Sequence, residues 1–165
     1  MKALLVHPGI KIYGGAEHLI VKLCNHLTAR GIDNALLTTA MPDGMRGDIN
    51  GSSIIVAEKN GSGIFSEFFA LKRGIGKYGS SYDIINVHNY PADIAVVSCK
   101  KKCVWMCNEP ELYLLAGRKE LSPQFRLYCR LMLALERYIV RKHIRHVVVS
   151  DRFNAGRFSA IYGVE

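Results

Sequence analysis

No stretch of this chain reaches the roughly 18 consecutive apolar residues that a membrane span needs. Any membrane contact is therefore expected to be peripheral. No secretory segment is expected either, because Met1 and Lys2 lead straight into Ala3-Leu4-Leu5-Val6 without a full apolar core region or a cleavage site. The cysteines are five, an odd number, and none forms a C-x-x-C pair. Cys99, Cys103 and Cys107 recur at a spacing of four, but no nearby histidine completes a ligand set, so no metal is expected. These absences make a reducing cytoplasm the expected setting. The dinucleotide fingerprint G-x-G-x-x-G is absent, and the second apolar segment closes on Thr38-Thr39 where a nicotinamide enzyme needs an acid. Gly9 and Gly14 have the glycine spacing of a P-loop, yet Gly15-Ala16 stands where its Lys-Ser/Thr belongs. Acidic residues are in short supply, 14 against 22 Lys plus Arg, for a formal charge of +8. That surplus suits phosphates, nucleic acid or an anionic membrane face without choosing among them.

What is present is enough for one globular domain, 165 residues of which 49% are apolar. The organising stretch is 2–31. Its opening run, Ala3 to Val6, is too short for a helix and suits a strand buried on both faces of a parallel sheet. A glycine-bearing loop, 7–15, then enters a helix, marked by Ala16, Leu19, Ile20, Leu23 and Leu27 at three- and four-residue spacing and ended by Gly31 in a left-handed C-cap. Strand, glycine loop and helix make a phosphate cradle. Unpartnered N–H groups at a helix start carry the positive end of its dipole, and Gly14 and Gly15 let a diphosphate come close. The same geometry also describes a tight turn with no ligand.

Strands are predicted at 34–39, 54–56, 82–88, 103–107 and 146–149, and helices at 64–77, from Pro91 to Ser98, at 125–142 and at 151–162. The loops are 41–53, 58–63 and a solvent turn at Lys100 to Lys102, and Ser150 and Gly163 bracket the last helix. Gly74, Gly76 and Gly79 weaken the end of the helix at 64–77. Alternation of this kind argues for an α/β fold, a Rossmann-like doubly wound parallel sheet with helices on both faces and right-handed crossovers. In the helix at 125–142, Tyr128, Leu131, Met132, Leu135, Tyr138 and Ile139 share a face expected to be core. Arg126, Arg130, Arg137 and Arg141 form the opposite row, either a solvated face or one that meets anionic headgroups. In such sheets ligands bind beyond the carboxyl ends of the strands. Three of those ends carry polar residues: the Gly14-Gly15 loop, His88-Asn89 and Asn108-Glu109.

Gly14-Gly15-Ala16-Glu17, with its helix and Arg30-Gly31, resembles the first strand-loop-helix of glycosyltransferase family 4, whose members have the two-domain GT-B fold. The segment Tyr82-Asp83-Ile84-Ile85-Asn86-Val87-His88-Asn89 looks like that family's strand ending in histidine. Trp105-Met106-Cys107-Asn108-Glu109-Pro110 is similar to its next strand and acceptor-side loop. Val147-Val148-Val149-Ser150 through Tyr162-Gly163-Val164 looks like the stretch closing its N-terminal domain. The resemblance implies that residues 1–165 are a single GT-B N-terminal, acceptor-side domain, with the C-terminal nucleotide-sugar-binding domain absent. It implies a retaining glycosyltransferase of hexosyltransferase type in cell-envelope polysaccharide biosynthesis, cytoplasmic or peripheral at the inner membrane face. Its donor is a nucleotide sugar, its acceptor a glycan or a lipid-linked molecule, and it needs no cofactor. This half alone is expected to be inactive.

By the same resemblance Gly14, Gly15 and Glu17 lie at the donor diphosphate, and His88, Asn89, Asn108 and Glu109 form the acceptor pocket. Asn108 departs from the family, where many relatives have a histidine, and an amide cannot take a proton near neutral pH. His88 or Glu109 then does any acid-base work, or the donor phosphate assists and no protein base is needed. The plainer readings are a satisfied strand-end histidine for His88, a solvated charge for Glu109, a dipole partner for Glu17 and a structural role for His7. The competing hypothesis is a self-standing basic module for anionic membrane or nucleic acid. Nucleic acid is not expected, because the aromatics are not interleaved with the arginines.

Overall fold

A computed structural model describes residues 1–12, 14–101 and 103–163, so Lys102 of the expected turn and Val164 of the closing stretch lie outside the described residues. Six parallel strands form one sheet: β1 (Lys2–Val6), β2 (Asp33–Thr38), β3 (Ser53–Val56), β4 (Ile84–His88), β5 (Cys103–Cys107) and β6 (Ile144–Val149). Their order is β3-β2-β1-β4-β5-β6, so the chain first moves one way from β1 and then the other. The helices are α1 (Gly15–Ala29), α2 (Asp43–Arg46), α3 (Ile64–Tyr78), α4 (Ala92–Ala95), α5 (Glu111–Gly117), α6 (Pro123–His143) and α7 (Arg152–Tyr162). This is the doubly wound fold expected from the alternation.

Right-handed crossovers decide which helix lies on which face. Going outward from β1 to β3 they place α1 and α2 on one side, where Ile20, Val21, Cys24 and Met45 pack on Leu5 and Leu36. Every later crossover lies on the other side, where Leu71, Ile94, Leu133 and Phe158 join Leu4, Leu37, Val87 and Trp105. Among the described residues the first side of β4, β5 and β6 is left without a helix. A groove of about 370 Å³ there is lined by Leu23, Ile84, Met106 and Val148, with Val148 46% exposed.

Local chemistry explains the boundaries. Gly31 (φ +70) and Gly163 (φ +65) take the left-handed conformation just past α1 and α7, as their positions predict. Gly74 does not end α3 early, because it sits where a Cβ would come 2.8 Å from the Leu37 methyl groups. Asp151, not Ser150, caps α7 by accepting from Asn154 N at 2.8 Å, while the Ser150 hydroxyl bonds the same carboxylate. The expected loop at 41–53 contributes α2 and the buried Met45 and Ile49.

The core face expected for α6 is corrected. Ile139 is buried as expected, but Leu131 is 63% and Tyr138 57% exposed, Leu135 is exposed as well, and the buried face runs instead through Cys129, Leu133, Glu136 and Val140. At about 100° per residue that row is a continuous face, but it has a glutamate at its centre. Glu136 is buried because partners meet it: Tyr162 donates from its hydroxyl at 2.6 Å, and Asp93 of α4 hydrogen-bonds it.

Candidate functional site

The ends of β1, β4 and β5 stand side by side, at the point where the crossovers change faces. Beyond β1 the backbone stays pinned to β2. His7 N donates to Leu37 O at 3.0 Å, Ile10 N to Ala40 O at 2.8 Å, and the Thr38 hydroxyl to Pro8 O at 2.8 Å. Gly9 N donates at 2.6 Å to Glu67 Oε1 of α3, which also accepts from the Thr39 hydroxyl. A Cβ on Gly9 would lie 2.8 Å from both oxygens, so this glycine serves a packed contact inside the protein.

Gly14 caps α1 with extended backbone, and its N–H donates to Glu17 Oε2 at 3.1 Å. Glu17 is thereby engaged with the start of its own helix, the arrangement of a capping box. Gly15 differs from both other glycines: among the described residues nothing lies within 4 Å of where its Cβ would be, so the first turn of α1 is open to close approach.

At the end of β4, His88 and Asn89 point to different places. His88 is fully buried on the α1 side of the sheet, with Nε2–H donating to Asn86 Oδ1 and no partner for Nδ1 among the described residues. Burial, and then the neighbouring His7 ring 6.1 Å away, lower its pKa to about 3, so the ring is neutral at neutral pH. Asn89 adopts φ +55, a left-handed conformation rare outside glycine. Its side chain links three strands: Nδ2 lies 3.5 Å from His7 Nε2, and Oδ1 accepts from Asn108 Nδ2 at 3.1 Å. His7 Nδ1 must carry the ring proton because it faces the Pro8 carbonyl at 2.9 Å, which leaves Nε2 as an acceptor. Burial lowers the His7 pKa against the raising effects of that bond, Glu17 and Glu67.

Asn89, Asn108 and Glu109 line one open cavity of about 470 Å³ with Ala16 at the start of α1. Its far wall is α5 and the residue just past that helix, contributing Glu111, Leu114 and Arg118. Burial, and then the charge of Glu109, raise the Glu111 pKa. The arrangement offers two amides, two carboxylates and one guanidinium over an apolar floor, suited to hydroxyl groups and an anion. His88 is not among the lining residues. The larger hollow, about 590 Å³, lies at the β3 edge between Val56, Arg73 and Tyr78 and holds none of the candidates. Arg126, Arg130, Arg137 and Arg141 lie outside the cavity on α6, the first and third half-buried and the other two exposed, with Arg141 Nε donating to Tyr162 O at 3.0 Å.

Arg118, Glu111 and Glu67 escape a reading of the sequence. α5 is too short to show a period, and the Glu67 contact to Gly9 spans 58 positions. Among the described residues no three His, Cys, Asp or Glu side chains gather as a metal would need, and no helix is long and apolar enough to cross a membrane.

No curated protein sequence matches the chain. Solved structures resemble it in fold. Anabaena Alr3699/HepE, solved with UDP-glucose, superposes with a TM-score of 0.66 at 12% identity, over 96% of this chain and 40% of that one. A glycosyltransferase from Rickettsia africae gives 0.60 at 15% identity, over 99% and 40%. A UGT transferase from Siraitia grosvenorii, solved with UDP, gives 0.58 at 9% identity, over 90% and 44%. The chain thus spans about two fifths of the length of these proteins. Residues 13–165 match the Glycosyltransferase Family 4 domain, and with its six-stranded doubly wound sheet the chain belongs to that family.

Proposed function

We propose that this chain is the acceptor-side domain of a retaining glycosyltransferase that moves a hexosyl unit from a nucleotide sugar to a lipid-linked or polysaccharide acceptor. The observation that carries the reading is the single cavity in which Ala16, Asn89, Asn108 and Glu109 meet from three adjacent strand ends. Family membership supports the transferase, and two of the similar structures were solved with UDP-glucose and UDP. In this reading the open backbone at Gly15 receives the donor diphosphate, with the α1 dipole behind it. Glu17 holds that loop in shape and does not touch the donor.

The Asn89 and Asn108 amides orient an acceptor hydroxyl, and Arg118 meets an acidic or phosphorylated part of the acceptor. His88 is buried and neutral, with a pKa near 3, and takes no proton. Glu109 is exposed and is the one carboxylate at a strand end facing the acceptor. The remaining proton acceptor is the donor's own phosphate oxygen. A second domain supplies most contacts to the nucleotide and sugar, no metal takes part, and the 165 residues alone do not turn over. The protein works at the inner face of a cell membrane in envelope polysaccharide assembly.

The test is turnover of the whole protein against a panel of nucleotide sugars and membrane acceptors. Asn108→Ala should raise the acceptor KM about tenfold, the worth of one hydrogen bond, and leave the donor KM unchanged. Turnover by residues 1–165 alone, or equal acceptor kinetics in the variant, would overturn the assignment.

A further inference from the structure

α6 has an outward apolar row that joins neither core cluster among the described residues. Leu127, Leu131, Leu135 and Tyr138 are 58%, 63%, 43% and 57% exposed, although the helix is held by its opposite face. At about 100° per residue these four fall within an arc of about 80°, and Arg126, Arg130, Arg137 and Arg141 fall within an adjoining arc of about 60°. The only acid on the helix, Glu136, is buried on the inner side. None of the four arginines forms an ion pair among the described residues. The apolar row continues onto α3: the Phe65 ring meets Tyr128 edge-on at 6.0 Å, and Phe65 and Phe69 are both at least half exposed.

We propose that this face, the leucine row of α6 with Phe65 and Phe69 of α3 and the arginine row beside it, seats the protein on an anionic lipid bilayer. A continuous apolar surface of this size is not the scatter of single residues found on ordinary surfaces. A helix lying in a membrane interface needs apolar side chains toward the acyl boundary and cations at headgroup level, which two adjoining rows supply. Nucleic acid has no use for the leucines. A protein partner recognised through hydrogen bonds finds only the Tyr138 hydroxyl and cations here. The surface deepens the proposed function by bringing a lipid-linked acceptor to the cavity, and it rests on that reading only for this purpose.

The experiment is sedimentation of the protein with vesicles of phosphatidylcholine, with and without phosphatidylglycerol. Binding should require the anionic lipid, weaken with salt, and fall about fivefold in Arg130→Gln. Leu131→Gln with Leu135→Gln should lower it by at least about tenfold. Leu131→Trp supplies a signal that does not depend on losing binding: brominated lipid should quench it while buried Trp105 keeps its emission. Equal binding to both vesicles, or no quenching of the new tryptophan, overturns the proposal. So does a concentration-dependent dimer, free of lipid, that the leucine substitutions dissolve. Turnover measured with a soluble acceptor and no vesicles tells failure of the membrane seat apart from failure of the transferase reading.

Discussion

Among single residues, Cys99 is set apart from the other four thiols. A hydrogen bond from Cys103 is the main effect on it, and with the Lys101 backbone and charge it outweighs burial and lowers the Cys99 pKa to about 6. The same contact and burial push Cys103 up, and burial raises Cys24 and Cys107 to about 11 and about 12. Cys99 lines a hollow of about 370 Å³ with Gly76, Ser80 and Lys101, so a small reagent can reach it. Iodoacetamide at neutral pH should therefore label Cys99 first, with half-maximal rate near pH 6, and Cys103→Ala should move that midpoint toward 9.0, the ordinary thiol value. Mass spectrometry of the labelled peptides reads both outcomes. Nothing in the spacing of Cys99 and Cys103 announces this, because i and i+4 cysteines meet only if the chain turns between them. The candidate-site residues divide in the same way. Asn89, Asn108 and Glu109 are legible as polar residues after apolar runs, whereas the inward aim of His88 follows from the period-two alternation of β4, which sends neighbours to opposite faces.

For elements, the informative joint is α4–α6–α7, where two carboxyl groups meet in the core. Burial first, and then Glu136, raise the Asp93 pKa, while Glu136 is raised by burial and accepts from both Asp93 and Tyr162. The proton therefore sits on Asp93. In the unfolded chain these groups ionise near their ordinary values of 3.8 and 4.5, so the folded state binds more protons over the window above them. Stability is thus full below that range and is lost as pH climbs through the raised pKa values. Asp93→Asn should flatten this loss, because its amide can donate to Glu136 permanently while its oxygen keeps accepting from Ile94 N, a 2.7 Å bond in the parent. Thermal unfolding by circular dichroism, followed upward from the ordinary carboxyl values, checks it: the parent should melt lower at the alkaline end and the variant should not. This joint also explains why the sequence of α6 misleads. A glutamate looks like a surface position, so the helical period turns the expected core away from Glu136, keeping Ile139 but taking in the exposed Leu131, Leu135 and Tyr138, and only the partners on α4 and α7 draw the core round to Glu136. Strands are easier, since short apolar runs between turn residues leave few alternatives.

For the whole molecule, the change of direction at β1 has two effects. It opens the crevice in which the candidate site lies, and it leaves β4, β5 and β6 bare on one side, with Ile84 and Val148 exposed. A fluorescent apolar dye such as anilinonaphthalene sulfonate should brighten with the chain, and Val148→Asp, pointing out of the sheet, should dim it without altering the far-ultraviolet spectrum. Unchanged dye binding in Val148→Asp would mean that the dye sits on the exposed leucines of α6 and not in the groove. The doubly wound parallel sheet could be anticipated from alternation, yet neither the strand order nor the bare side could, because which face lacks a helix depends on where each crossover lands. The polar link from His7 through Asn89 to Asn108 has a different sort of consequence. It ties the site to the ends of the strands, while the segment after β5 is itself anchored by Leu112 of α5, which lies in the main core. Exchanging the exposed residues 117–120, with Leu112 and Ala116 kept, is therefore a way to alter which ligand the cavity admits while the scaffold folds unchanged, so selectivity in this architecture can diverge faster than shape.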